Sequence, residues 1–172
     1  MSEQLNSLPA EALTLSDAEL AEIDAEISHA PYRSAVAIDA LKIIQARRRW
    51  VSDECLEALA AYLEMPAAEL EGVATFYNLI FRKPVGENVI LVCNSVSCWI
   101  KGCEGISKAV SEHLGIEPGQ TTADDRFTLL PITCLGACDR APVMMVGDNK
   151  FEDVTEERIA AILEQGEGAT PG

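Results

Sequence analysis

The sequence predicts an α+β fold, with a bundle of helices in the first half of the chain and an α/β domain in the second. Up to about Phe81, apolar residues recur at the spacing of three and four that marks amphipathic helices. After Gly86 the pattern changes to short β-branched runs separated by turns and helical stretches. With 172 residues, 48% of them hydrophobic, the chain can bury a core without disulfide staples.

Four helices are predicted in the first half. Ser16 is a candidate N-cap for the first helix, which Pro31 ends, and the second helix covers about residues 34–50. Ser52 caps the third helix, and Pro66 starts the fourth. The apolar positions of these helices are Leu20, Ile23, Ile27, Val36, Ala40, Ile43, Ile44, Cys55, Leu56, Leu59, Ala60, Leu63, Leu70, Val73 and Tyr77.

The second half alternates strands with helices. Strands are expected over 88–92, 127–132 and 143–146, and helices over 105–114 and 155–163. Gly115 is the expected C-cap of the first of these helices, and a turn at Gly147 is expected to follow the third strand. The domain organisation predicted from this change of pattern is a flexible N-terminus over 1–15, a helical module over 16–85, an α/β domain over 86–165 and a disordered tail over 166–172.

The charge of the chain excludes some partners. The net charge is -15, and the first thirty residues hold seven acidic residues without one Lys or Arg. Nucleic acid and anionic lipid are therefore poor partners, and a solvated helix face is the favoured explanation of the acidic run. The basic run of Arg47, Arg48 and Arg49 either complements a helix C-terminus or makes a salt bridge to a partner.

No secretory signal and no membrane span are recognisable in the sequence, so we expect a cytoplasmic chain without direct membrane insertion. The reducing cytoplasm disfavours disulfides as the role of the six cysteines. Four of them form two close pairs, each following a predicted strand: Cys93 and Cys98, then Cys134 and Cys138. Four converging thiolates are a soft donor set that selects zinc or an iron–sulfur cluster.

The spacing favours the cluster over zinc. Structural zinc sites usually take ligands spaced by two residues, whereas here the spacers are four and three residues. A 2Fe-2S cluster separates its thiolates further, and small residues such as Gly136 and Ala137 leave backbone N–H groups free to point at sulfur. A zinc-stabilised interaction module stays open as an alternative, and a thiol–disulfide enzyme is a weaker one because no C-x-x-C is present.

The segments VCNSVSCWIKGCEGI and PGQTTADDRFTLLPITCLGACDRAPVMMV resemble the thioredoxin-like 2Fe-2S ferredoxins, and more narrowly the E-type, 24-kDa-type subunit of respiratory NADH:quinone oxidoreductase, complex I. The run EGVATFY at positions 71–77 is similar to a signature of the same family, so the likeness covers about Leu15 to Leu163. It implies a thioredoxin-like fold for 86–165 and one 2Fe-2S cluster held by Cys93, Cys98, Cys134 and Cys138.

The resemblance also implies a one-electron carrier that is not catalytic alone. Its partner would be the F-type, 51-kDa-like flavoprotein, which holds FMN and NADH, together with further subunits of the peripheral arm on the cytoplasmic face of the membrane. The absence of a G-x-G-x-x-G phosphate loop agrees with a nucleotide site on another chain. The same resemblance fits the equivalent small subunit of an NAD-linked hydrogenase or formate dehydrogenase.

Several other Cys, Trp and His residues are predicted to have roles other than binding the cluster. Cys55 lies on an apolar helical stripe, and Cys103 is expected to be a packed thiol outside the ligand set, although its spacing from Cys98 repeats that of Cys93. Trp99 is expected to shield the cluster from water. His29 and His113 lie outside the cysteine motifs and are not expected to be ligands.

Overall fold

The structure is a computed structural model that describes residues 14–166. The predicted α+β class is confirmed, because within the described range helices are the regular elements before Pro84 and a mixed sheet organises the part that follows. Residue contacts divide the chain into two compact units, which meet in the sequence at Pro84 and Val85. We call them the helical unit and the sheet unit. None of the helices within the described range is long and apolar enough to cross a membrane.

The helical unit contains four α-helices, α1 (Asp17–Ile27), α2 (Ala37–Arg48), α3 (Asp53–Tyr62) and α4 (Ala67–Phe76). Ser16 and Ser52 cap α1 and α3 through their side chains, as the sequence predicts. A 3-10 turn, Arg33–Val36, replaces the predicted first turn of α2, and Arg49 ends that helix in a left-handed conformation. Tyr77 lies outside α4 as its C-cap and is exposed, because the backbone becomes extended there.

Apolar faces of the four helices form one core. Its fully buried members include Ile23, Leu41, Ile44, Leu59 and Leu70, and Leu15 packs against them at the edge. Burial of such side chains supplies about 2 kcal/mol each, which makes this core the main source of stability in the unit. The predicted inward position of Cys55 is confirmed, since the structure buries its side chain completely.

The sheet unit contains strands β1 (Asn88–Cys93), β2 (Phe127–Ile132), β3 (Met144–Val146) and β4 (Asn149–Phe151) in the order β2-β1-β3-β4. β1 and β2 are parallel, whereas β3 is antiparallel to both β1 and β4. The sequence analysis missed β4, which lies on the far side of the turn at Gly147 and is only three residues long. A parallel pair needs a crossover, and two helices supply it between β1 and β2.

These helices are α5 (Val96–Ile100) and α6 (Cys103–Leu114), and the last helix is α7 (Ile159–Gly166), preceded by a 3-10 turn, Glu156–Arg158. Gly115 caps α6 in the left-handed conformation, as predicted. Gly166, which the sequence analysis assigned to the tail, lies within α7 and is buried. The predicted flexibility of 1–13 and disorder of 167–172 lie outside the described residues.

Candidate metal centre

The register of the parallel strands brings the two cysteine loops together. Cys93 ends β1 and lies opposite Ile132, the last residue of β2, two positions before Cys134. The ladder continues one step further, since the Asn94 N–H donates to the Ile132 carbonyl at 3.0 Å. Because the carboxyl ends of parallel strands emerge at the same edge of a sheet, both loops begin side by side.

The first thiol pair is buried. Cys98 lies on the short helix α5, an element that the sequence analysis did not predict between the first strand and residue 105. This helix turns its Cys98 side chain toward Cys93, so that both sulfurs lie in an apolar cluster at the end of the sheet. The members of the cluster are Leu91, Cys93, Cys98, Cys103, Ile132, Ala137, Ala141 and Val143. The signal for α5 was present in Ser95, a residue type favoured as an N-cap, directly before Val96.

The protonation of Cys98 reflects this burial. Desolvation raises the pKa of the Cys98 thiol to about 11, and its side-chain hydrogen bond with Cys93 contributes to the rise. A backbone hydrogen bond from Val143 opposes that rise only in part. A buried thiolate of this kind needs a nearby cation, which a bound metal supplies, and metal binding then releases the thiol proton.

The second thiol pair is exposed. Cys134 lies in the loop after β2, and Cys138 begins a 3-10 turn, Cys138–Arg140. Their sulfur atoms are 3.4 Å apart, close enough to bind the same metal ion. The Gly136 N–H donates to the Cys134 sulfur at 3.4 Å and lowers the pKa of that thiol. The Cys134 side chain raises the pKa of Cys138, while a side-chain hydrogen bond from Ser97 lowers it.

The thiols are therefore arranged two by two. The charge of Cys93 also raises the pKa of Cys138, so the two pairs are close enough to interact. Within residues 14–166, no group of three or more His, Cys, Asp and Glu side chains lies close enough to hold one metal ion. The two pairs would together supply the four soft thiolate ligands that a 2Fe-2S cluster needs.

Other residues near the site occupy defined positions. Cys103 begins α6 and is buried beside the first thiol pair, where burial raises its pKa. Trp99 is 59% exposed and donates its indole N–H to Glu104 at 3.2 Å, and its shielding of the cluster stays a prediction. His29 is bonded within the helical unit, and His113 lies in the last turn of α6, away from the cysteine loops in sequence. The side-chain contact from Ser97 to Cys138 was missed by the sequence analysis.

The fold and the cysteine pattern together define a class of protein. The family model of the thioredoxin-like [2Fe-2S] ferredoxins matches residues 23–167, and the chain belongs to that family. One 2Fe-2S cluster is therefore its cofactor. The thioredoxin-like assignment of the α/β half is confirmed by the same match.

Relatives that align over nearly the whole chain show which members of this family it is similar to. The E-type subunit of the NADH-quinone oxidoreductase of Pseudomonas aeruginosa is 45% identical over 161 residues, which cover 94% of this chain and 97% of that protein. The E-type subunit of the NADH-quinone oxidoreductase of Escherichia coli K12 is 49% identical over 155 residues, which cover 90% of this chain and 93% of that protein. Among solved structures, an NAD+-reducing [NiFe]-hydrogenase in the H2-reduced state matches with a TM-score of 0.64 and 26% identity, over 79% of this chain and 23% of that one.

Proposed function

We propose that this chain is the electron-carrier subunit of an NADH-quinone oxidoreductase, with its 2Fe-2S cluster held by Cys93, Cys98, Cys134 and Cys138. The observation that carries the proposal is the side-by-side placement of two thiol pairs at the ends of β1 and β2, in a chain that spans nearly the whole length of its E-type relatives. The protein takes part in an oxidoreductase reaction but completes no reaction alone.

The cysteines have distinct surroundings in this assignment. Cys93 and Cys98 are buried in an apolar cluster, whereas Cys134 and Cys138 face solvent. When bound, a 2Fe-2S cluster accepts and releases one electron at a time. The chain itself supplies donors to sulfur, from the backbone of Gly136 and Val143 and from the side chain of Ser97. Such donors and the degree of solvent exposure would set the reduction potential of the bound cluster.

A flavoprotein is the proposed electron donor. NADH gives up two electrons as a hydride, so a flavin must divide them before a one-electron carrier can accept one. This sequence has no glycine-rich dinucleotide loop, which places FMN and NADH on a partner chain within the proposal. We assign this chain to the peripheral arm of that complex, at the cytoplasmic face of the membrane.

An exposed apolar surface on the helical unit is the proposed docking site for that flavoprotein. It consists of Phe76, Tyr77 and Leu79, at and beyond the end of α4, and we call it the aromatic surface. Phe76 is 79% exposed, and its ring meets that of Tyr77 edge to face at a centroid distance of 5.2 Å. Exposed aromatic residues of this kind are typical of protein interfaces.

Polar contacts hold the backbone around the aromatic surface in place. The Gln45 side chain donates to the Leu79 carbonyl at 2.7 Å and accepts from the Phe81 N–H at 2.6 Å. Arg82 bonds to Val51, to Asp53 and to Glu71. A surface that is already ordered loses little conformational entropy on binding, which favours a role in docking.

Electron paramagnetic resonance tests the redox assignment. We expect anaerobically purified protein to be silent when oxidised and to gain a rhombic signal with g values of about 1.9 to 2.0 after dithionite reduction. Iron, sulfide and zinc should be assayed on the same sample. Two irons and two sulfides per chain support the proposal, whereas a colourless protein with one zinc would replace it with a zinc-stabilised interaction module.

The change Phe76→Ser tests the docking surface. Because the side chain is already exposed, its removal should leave stability unchanged and weaken binding to the flavoprotein by about 2 kcal/mol, roughly thirtyfold in Kd. Tyr32→Ser is the matched control, since Tyr32 is an exposed aromatic of the same unit outside the aromatic surface. Equal affinity of the Phe76 variant and the wild type would exclude this surface from the interface.

The small subunit of an NAD-linked hydrogenase is the second candidate. The structural likeness to an NAD+-reducing [NiFe]-hydrogenase favours it, although the greater identity to the E-type subunits of NADH-quinone oxidoreductases supports the first assignment better. Purification of the complex from its native source separates the two functions. NADH-dependent quinone reduction supports the first, and hydrogen-dependent NAD+ reduction the second.

A further inference from the structure

Gly136 occupies the centre of the second cysteine loop, two residues from Cys134 and two from Cys138. Its backbone is in the left-handed region, with a φ of 81°. This conformation turns the Gly136 N–H back toward the Cys134 sulfur, which accepts from it at 3.4 Å. Non-glycine residues rarely adopt such a backbone, apart from Asn and Asp.

Space around Gly136 does not explain a glycine at this position. A Cβ added to Gly136 would meet no atom within 4 Å, whereas one added to Gly86 would approach the backbone of Asp125 to 2.9 Å. No protein atom would therefore clash with a small side chain at residue 136. The conformation therefore favours glycine here, and it accompanies the hydrogen bond from the Gly136 N–H to the Cys134 sulfur.

We propose that Gly136 is a positioning residue whose left-handed backbone holds its N–H on the Cys134 sulfur and thereby raises the reduction potential of the bound cluster. This inference rests on the proposed function. Reduction adds one electron and so increases the negative charge on the ligand sulfurs, which a fixed N–H donor offsets. The donor keeps its proton throughout, and only the electron is transferred, from dithionite in the test below.

Three variants separate the hydrogen bond from backbone strain. Gly136→Ala disfavours the left-handed conformation and so turns the N–H away from sulfur. Gly136→Asn adds a side chain of a type that tolerates the left-handed region, and should keep the bond. Gly119→Ala is the matched control, because Gly119 also has a positive φ, 92°, and open space, but its N–H donates to the Leu129 carbonyl.

Two measurements on the cluster-loaded full-length protein test whether the Gly136 N–H raises the reduction potential. The first is the midpoint potential from a dithionite titration followed by electron paramagnetic resonance. The second is the shift of the iron–sulfur stretching bands between H2O and D2O in resonance Raman spectra, which reports an exchangeable N–H bonded to sulfur. We expect a more negative potential and a reduced isotope shift in Gly136→Ala alone, with wild-type values in the Asn and Gly119 variants.

Defined outcomes would overturn the inference. A fully loaded Gly136→Ala variant with wild-type potential would do so, as would an equal fall in potential for Gly119→Ala. If the Gly136→Ala variant holds no iron, the Gly136→Asn variant gives the test. A wild-type potential together with a wild-type isotope shift supports the positioning role of Gly136. A wild-type potential without that isotope shift refutes it. Wild-type protein without two irons and two sulfides would instead overturn the proposed function itself.

Discussion

Glu19 is a carboxylate buried in the helical unit, with only 1% of its surface exposed. Its oxygens accept from the Ser16 N–H at 2.7 Å and from two guanidinium nitrogens of Arg48 at 2.6 and 2.5 Å. Burial alone would raise the pKa of Glu19, but the hydrogen bonds from Arg48 and Ser16 outweigh it and hold the pKa below its ordinary value of 4.5. The folded protein therefore keeps this side chain ionised at neutral pH.

We expect Glu19→Gln to lower the free energy of unfolding by about 3 kcal/mol at neutral pH, because it leaves Arg48 without its buried partner. The folded-state pKa is depressed, so the contribution of Glu19 is complete above its ordinary pKa and disappears as the pH falls through the folded-state value. Wild type and variant should thus differ fully above about pH 5 and converge at lower pH. Urea unfolding between about pH 3 and pH 7, followed by circular dichroism, measures this difference.

Glu22→Gln is the control for this prediction. Glu22 pairs with Arg47 at 2.5 Å, but more than half of its side chain is exposed, and exposed pairs contribute less than about 1 kcal/mol. A difference of equal size in both variants would assign the effect to the overall charge of α1. A difference for Glu19→Gln that persisted unchanged to low pH would also contradict the assignment.

Cys98 and Cys103 provide a second comparison of residues, because both are buried thiols of the same apolar cluster. Within the proposed ligand set, Cys98→Ser should disturb the visible iron–sulfur absorption, since an alkoxide replaces a thiolate. Cys103→Ser should keep it, because this side chain is assigned to packing alone. Absorption spectra with iron and sulfide assays check both results. Loss of the cluster in the Cys103 variant would require a different ligand set.

Among the secondary-structure elements, α5 shows where the sequence analysis failed. The four cysteines and both flanking strands were identified from spacing and β-branched runs, since those signals are local. The helix itself has only five residues, too few for a helical period to be visible, and it exposes Val96 and Ile100 while burying Cys98. Glu19 was assigned to a solvated face for a similar reason: its partner Arg48 is distant in sequence, and no local pattern indicates that they meet.

The four helices α1–α4 have their own core, and the sheet unit has others around β1 and β2. We therefore predict that a fragment beginning at Val85 folds and binds the 2Fe-2S cluster. The same fragment should associate more weakly with the flavoprotein, because it lacks the aromatic surface. Iron content and co-purification with the flavoprotein measure the two properties separately. Unchanged co-purification of the fragment would refute a docking role for the helices.

At the level of the whole molecule, the net charge of -15 acts on the proposed cluster. Reduction adds a negative charge to a protein that already carries an excess of carboxylates, which is unfavourable. Salt screens exposed carboxylates, so the midpoint potential should rise as ionic strength increases between about 0.05 and 1 M. Potentiometric titration at several salt concentrations measures this rise, with sucrose as an uncharged control. A potential independent of salt would mean that local donors such as the Gly136 N–H dominate.

The unequal exposure of the two thiol pairs also bears on how the protein must be handled and loaded. Cys134 and Cys138 face solvent whereas Cys93 and Cys98 are buried, so we expect iron and sulfide added in solution to reach the exposed pair first. Two exposed thiols whose sulfurs lie 3.4 Å apart are open to oxidation to a disulfide, which would remove two of the proposed ligands. Reconstitution should therefore begin under strictly anaerobic, reducing conditions.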